Sequence, residues 1–240
     1  MLFYRRNFVN NYNDTLAKTK EILNAVSIAF KNFKSAFSYK KNSDELFAIF
    51  ESTLTSLLGE HDIVCDYIWG DESANIDGFT KNYYAKKGDV CIFDVSVGKD
   101  GEWCDVTRTF FVGEINKERE SVFNAIKKSL KEGQKALKIG GMAKDVFFAV
   151  DNFLKGYGKE LVHHAGHAIG EKNLLEPRFL PDNNTPLVLG AKYAIETGVY
   201  DEFGIRLEND YLLTEKGAVD LFENLLPLNI KEYILRWTTL

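Results

Sequence analysis

Apolar positions along this 240-residue chain change period several times, and each change predicts an element. Over residues 14–36 (DTLAKTKEILNAVSIAFKNFKSA) they recur at helical spacing, placing Leu16, Ile22, Leu23, Val26, Ala29 and Phe30 on one stripe. Asn42, Ser43 and Asp44 then offer caps for a second helix over 45–59, which Gly59 closes. A strand is predicted around 63–68. Two segments, 91–112 and 193–213, alternate apolar and polar residues about a tight turn, the pattern of β-hairpins. Between them lie a long helix over 116–138, a GGMAK turn at 140–144 and a helix over 145–156. Two helices followed by strands, twice over, describe an α+β protein built from two αβ halves.

The hairpins carry the chemistry. If GKDG (98–101) forms the first turn, Val97 pairs with Glu102 and Asp94 falls opposite Asp105. Side chains alternate faces along a strand, so Phe93, Val95, Cys104 and Val106 share one face, and Asp94, Ser96, Asp105 and Thr107 the other. In the second hairpin, Asp201, Glu202 and Phe203 form the loop, with Gly204 available for a left-handed bulge position. Glu196 then pairs with Glu208. Tyr193, Ile195, Val199, Ile205, Leu207 and Tyr211 lie behind, while Glu196, Arg206 and Glu208 form the working face.

Like charges facing each other on neighbouring strands repel across only about 5 Å. A fold that repeats the arrangement needs a positive partner between them. His167 in HHAGHAIG (163–170) supplies an imidazole between the hairpins in sequence. Two Asp, two Glu and one neutral His suit two divalent cations of the manganese, cobalt, iron or zinc kind.

Asp94, Asp105 inside DVTRTF, His167 inside GHAIG, Glu196, and Glu208 inside GIRLEND resemble the five metal ligands of the pita-bread metallopeptidases. That superfamily holds methionine aminopeptidase, aminopeptidase P and prolidase, with creatinase as a metal-free relative. The wording is closest to the Xaa-Pro branch, and the resemblance covers roughly residues 15–225. It implies a pita-bread fold, two pseudo-symmetric αβ halves around a curved antiparallel sheet. It also implies a dinuclear centre, manganese first in expectation, whose water attacks the N-terminal peptide bond of a short peptide. Asp94 would chelate one metal, Asp105 and Glu208 would bridge, and His167 and Glu196 would complete the other. Glu196 would also move a proton to the leaving amine, beside a catalytic His163.

The family's three substrate histidines are matched only once, by His163. Leu174 stands at the second position and Asp77 at the third. Leucine donates no hydrogen bond, and an ionised Asp77 repels an oxyanion but suits a basic N-terminal residue. Arg206 is expected to steady a carboxylate or a substrate C-terminus, or to pair with Glu208 or Asp210. The alternative to an Xaa-Pro peptidase is therefore a metal-binding protein with another amide substrate or a binding role. A creatinase-like enzyme would keep histidines and lose ligands, the reverse of this chain.

Composition adds limits. A net charge of −5 with lysines spread among acidic residues gives no basic stripe for nucleic acid. No apolar run is long enough for a signal peptide or a membrane span. Three cysteines (Cys65, Cys91, Cys104) form no disulfide framework and read as small buried hydrophobes, which fits a reducing cytoplasm. His61 and His164 carry no motif and read as structural or exposed. The expected organisation is one catalytic domain over 1–240, with N-terminal helices at about 14–58, a metal-site core at about 60–225, and no separate N-terminal creatinase-type domain. A small peptide is the expected partner, with no membrane and a homodimer as the assembly in view.

Overall fold

The computed structural model describes residues 2–237, with side chains from residue 17 onward, so Leu16 lies outside the described side chains. Helix α1 (Leu2–Ala36) starts well before the amphipathic stripe, because nothing between Leu2 and Asp14 is a glycine or proline that would stop it. Helix α2 (Ser43–Leu58) opens on a capping box. The Asn42 side chain accepts the Glu45 N–H at 2.9 Å, and the Glu45 carboxylate accepts the Asn42 N–H at 2.8 Å. Such a cap contributes about 1 kcal/mol. Gly59, at φ 71°, ends the helix.

Strands β1 (Asp62–Trp69), β2 (Val90–Lys99) and β3 (Glu102–Val112) form the first sheet. Asp100 and Gly101 both take positive φ, 52° and 77°, so the hairpin turns on these two residues alone. That is what an Asp-Gly pair does best. Lys99 therefore pairs with Glu102, and the register slides by two from the expected one: Asp94 faces Thr107 and Ser96 faces Asp105. A shift of two leaves every side chain on its expected face. Phe93, Val95 and Val97 are buried behind the sheet, where the Phe93 ring lies 5.2 Å from Phe30 of α1 and 4.6 Å from Phe50 of α2.

The second half repeats the plan. Helices α3 (Lys117–Ala136) and α4 (Ala143–Lys155, starting two residues before the expected Asp145) pack together. They lie beside a sheet of β4 (Gly166–Ile169), β5 (Leu175–Arg178), β6 (Lys192–Tyr200), β7 (Gly204–Thr214) and β8 (Gly217–Asp220), ordered β5-β4-β6-β7-β8. Gly133 of α3 admits the side chains of Val150 and Ile195, which a Cβ would meet at 2.9 and 3.0 Å. The second hairpin has the expected register, Glu196 opposite Glu208 and Tyr200 opposite Gly204. Gly204, however, does not take a left-handed conformation. Its lack of a Cβ serves contact between the halves, since a Cβ there would stand 1.8 Å from the Ser73 carbonyl oxygen.

Side chains sew β3 to β7, and the short strand β9 (Ile234–Leu235) runs parallel to β3 on its other edge. Arg108 is fully buried at this seam. It donates to the carbonyls of Thr107 (2.9 Å), Glu208 (2.6 Å) and Leu226 (2.7 Å), and to Asn209 Oδ1 (2.6 Å) and Tyr233 Oη (2.9 Å). Thr109 Oγ1 donates to the Arg206 carbonyl at 2.7 Å and accepts the Arg206 N–H at 3.0 Å. No described helix is long and apolar enough to cross a membrane.

Because Gly204 meets backbone across the seam, Gly204→Ala must push the halves apart. A loss of about 1–3 kcal/mol is expected, the usual cost of overpacking, read as a lowered urea midpoint.

Candidate metal centre

The seam brings both hairpins and β4 to one cavity of about 260 Å³, lined by Asp94, Asp105, His167, Glu196 and Glu208 together. His167 Nε2 lies 3.7 Å from Asp105 Oδ2 and 3.9 Å from Glu208 Oε1, and one ligand atom from each of the three lies within 4.8 Å of the others. His167 Nδ1 sits 3.1 Å from the Ala168 carbonyl oxygen, so its proton belongs there and Nε2 presents a lone pair to the carboxylates. Around them, Ser96 Oγ donates to Asp105 Oδ2 and Thr107 Oγ1 to Glu208 Oε2, both at 2.8 Å. The Asp105 N–H donates to Asp210 Oδ2 at 3.0 Å.

Electrostatics make this cluster costly without cations. Burial, followed by the charges of Asp94 and Asp210, pushes Asp105 well above the carboxylate range. Burial, then Asp105 and Asp94, does the same to Glu208. Asp94 rises to about 6 by burial, although the Arg206 guanidinium opposes it. Burial also raises Glu196, but there the His164 side chain, His163 and Arg206 prevail and hold it below its usual value. Burial lowers His163 and His167, which keeps both rings neutral and able to ligate or accept. Asp105 Oδ1 is buried with no hydrogen-bond partner. An orphaned carboxylate oxygen amid neighbours of its own sign, with an imidazole lone pair beside it, fits a cation.

The other expected site residues also reach the cavity. Arg206 is buried, and its partner is neither Glu208 nor Asp210. It donates to Asp94 Oδ2 at 2.6 Å and to the Ile76 carbonyl at 2.8 Å, across the seam from its own strand. Residues on one hairpin face suggested a neighbour within that hairpin, whereas the closest carboxylate belongs to the other half. Asp66, opposite Asp94 in the β1–β2 ladder, lies 3.6 Å from the same guanidinium. Leu174 lines the wall, and Asp77 lies exposed at the rim. His163 Nδ1 stands 2.7 Å from the His164 carbonyl oxygen and its Nε2 3.4 Å from Tyr200 Oη.

His164 is the residue that the sequence reading missed. Far from being remote, it lines the cavity with Nδ1 3.0 Å from Glu196 Oε1. Its adjacency to His163 is the only signal the letters held, and alternation alone would have put the two on opposite faces. The segment before β4 is a bend, so both rings turn inward. Cys91 and Cys104 are core residues as expected, while Cys65 is half-buried at the cavity wall. His61 lies near the surface with Nδ1 2.9 Å from the Gly59 carbonyl oxygen.

Known proteins resemble this chain in sequence and fold. A putative dipeptidase, YkvY, from Bacillus subtilis is 32% identical over 158 residues, which is 64% of this chain and 44% of that protein. An uncharacterized peptidase, MJ0806, from Methanocaldococcus jannaschii is 31% identical over 62% of this chain and 43% of its own length. The chain thus spans less than half the length of these curated relatives. Among solved structures, a prolidase from Thermococcus sibiricus superposes with a TM-score of 0.80 at 26% identity, covering 87% of this chain and 59% of that one. An X-Pro aminopeptidase from Thermotoga maritima shares the fold at a TM-score of 0.82 and 23% identity, covering 93% and 63%. The family model for metallopeptidase family M24 matches residues 17–215, enclosing both hairpins and every candidate ligand, and the chain belongs to that family, with its pita-bread fold.

Proposed function

We propose that this protein is a dinuclear metal-dependent exopeptidase that hydrolyses the N-terminal peptide bond of short peptides, in the manner of the Xaa-Pro peptidases. The observation that carries the reading is the convergence of four carboxylates and an imidazole on one cavity, with Asp105 Oδ1 buried and without a hydrogen-bond partner. Asp94, Asp105, His167, Glu196 and Glu208 would hold the two cations, with manganese the first to try. Bound there, such ions polarise a carbonyl and lower the pKa of water. Glu196 would take a proton from the attacking water and pass it to the leaving amine. His163 is placed to face the substrate beside it. Arg206 is engaged by Asp94 and Ile76, so its contribution is to fix a ligand and not to receive a substrate carboxylate.

Asp77 gives the site a substrate preference. At the rim, its carboxylate favours a peptide with a cationic N-terminal residue, and Leu174 offers an apolar wall where a donor would otherwise stand.

The direct test is a panel of Xaa-Pro and Xaa-non-Pro peptides given to metal-free protein reloaded with manganese, cobalt, iron or zinc. Cleavage is expected with metal and is expected to vanish in Asp105→Ala. Tight metal binding without any cleavage would instead favour another amide substrate or a binding role. Within the panel, Asp77→His is expected to cut the preference for lysine or arginine at the N-terminus by about fivefold, the size of an exposed ion pair. An unchanged ratio would remove Asp77 from the specificity argument.

The metal reading also predicts a pH dependence. The folded-state values of Asp94 (about 6) and Asp210 (about 8) exceed the ordinary 3.8, and Asp105 and Glu208 shift the same way. Groups raised on folding stabilise the protein fully below their unfolded pKa and lose that contribution as pH climbs through the folded value. Glu196, His163 and His167 have the opposite sign: Glu196 matters only in more acidic solution, and the two histidines add stability as pH rises to about 6.5. Metal-free protein is therefore expected to lose stability from about pH 6.5 to about pH 8, by an amount on the order of a few kcal/mol. Manganese should restore it at the higher pH. Urea unfolding with and without the ion at both values provides the check.

A further inference from the structure

We infer that His164 is a positioning residue for Glu196, holding its carboxylate from the bend that precedes β4. The inference rests on reading Glu196 as a metal ligand.

The backbone places the ring there. Gly166, at φ 134°, lets the chain run so close to β6 that a Cβ would stand 2.1 Å from the Ala194 carbonyl oxygen. The Glu196 N–H donates to the Ala165 carbonyl at 3.1 Å, which locks the residue after His164 to the residue His164 would serve. His164 Nδ1 then lies 3.0 Å from Glu196 Oε1. That nitrogen is shielded from solvent and has no other partner, and the contact stands slightly short of an aligned hydrogen bond. A lone pair aimed at a carboxylate would repel it, so the proton belongs on Nδ1 and faces Glu196.

The other cationic and imidazole donors beside Glu196 are wholly or partly committed, Arg206 keeping only its Nε without a partner. His163 comes within 3.7 Å of the other Glu196 oxygen, but its Nδ1 is engaged with the His164 carbonyl and its Nε2 faces Tyr200. Arg206 serves Asp94 and Ile76. Leu174 has nothing to donate. A carboxylate that must both hold a cation and move a proton needs its rotamer fixed, and one donated hydrogen bond to Oε1 leaves Oε2 for that work. His164 acts through Glu196 and need not touch substrate.

Two variants separate positioning from simple packing. His164→Leu keeps an apolar side chain of similar bulk and loses the donor. His164→Asn places an amide nitrogen close to where imidazole Nδ1 sits. Manganese chloride is titrated calorimetrically into metal-free wild type and both variants, with thermal melts of the metal-free proteins as the folding control, and kcat and KM are measured on the best peptide. The expected result for His164→Leu is a 10–100-fold loss of manganese affinity, with kcat falling and KM nearly unchanged. His164→Asn should recover most of both.

Equal affinity in all three proteins would overturn the inference, as would equal impairment of both variants. Wild type that binds no manganese would overturn it together with the metal centre. Wild type that binds manganese but cleaves nothing would defeat only the peptidase reading, and the titrations would still decide the role of His164.

Discussion

Mutual repulsion among buried carboxylates is the constraint around which this molecule is arranged. Asp105, Glu196 and Glu208 are each less than a tenth exposed, Asp94 is close beside them, and Asp210 lies completely buried behind. Burial weakens the screening that bulk water would give, so each raises the cost of ionising the next. The protein answers in two ways. Hydroxyls of Ser96 and Thr107 and the Asp105 N–H each occupy a carboxylate oxygen. One guanidinium, Arg206, is placed against Asp94. Asp105 Oδ1 and Asp210 Oδ1 are left without a hydrogen-bond partner.

That arrangement depends on the seam between β3 and β7, since neither hairpin alone holds all the candidate ligands. Hydrogen bonds across it link Asp105 to Asp210, Thr107 to Glu208, and Thr109 to Arg206, so alternate residues of the facing strands become partners. Arg108 points to the opposite side and binds carbonyls from β7 and from the segment around Leu226. Breaking such a buried charge network leaves several acceptors unsatisfied, each costing about 1–3 kcal/mol. Stability and site geometry are therefore the same property here. The seam that positions the ligands is also what joins the two αβ halves.

The aromatic packing behind the first sheet serves the same end. Phe30, Phe33, Phe50, Tyr67 and Phe93 form a tight cluster on the side away from the site. Strand alternation then obliges Asp94 and Ser96, which flank Val95, to face the cavity. Burial of these rings therefore aims the carboxylates as well as stabilising the sheet.

The chain by itself determined whatever depends on local periodicity. Alternation put Asp94, Asp105, Glu196 and Glu208 on the right faces, and this survived a two-residue error in the first hairpin because faces repeat every two residues. Caps such as Asn42 and Gly59 were legible because their hydrogen bonds close within four residues. Only the tertiary structure decided what depends on the approach of distant segments. It gave Arg206 to Asp94, used Gly204 as a contact with Ser73 instead of a bulge, and turned His164 onto Glu196. Each of those partners lies on a different element, at a distance set by how strands and sheets meet. No spacing within one strand encodes that distance, because it is fixed by the packing of the whole.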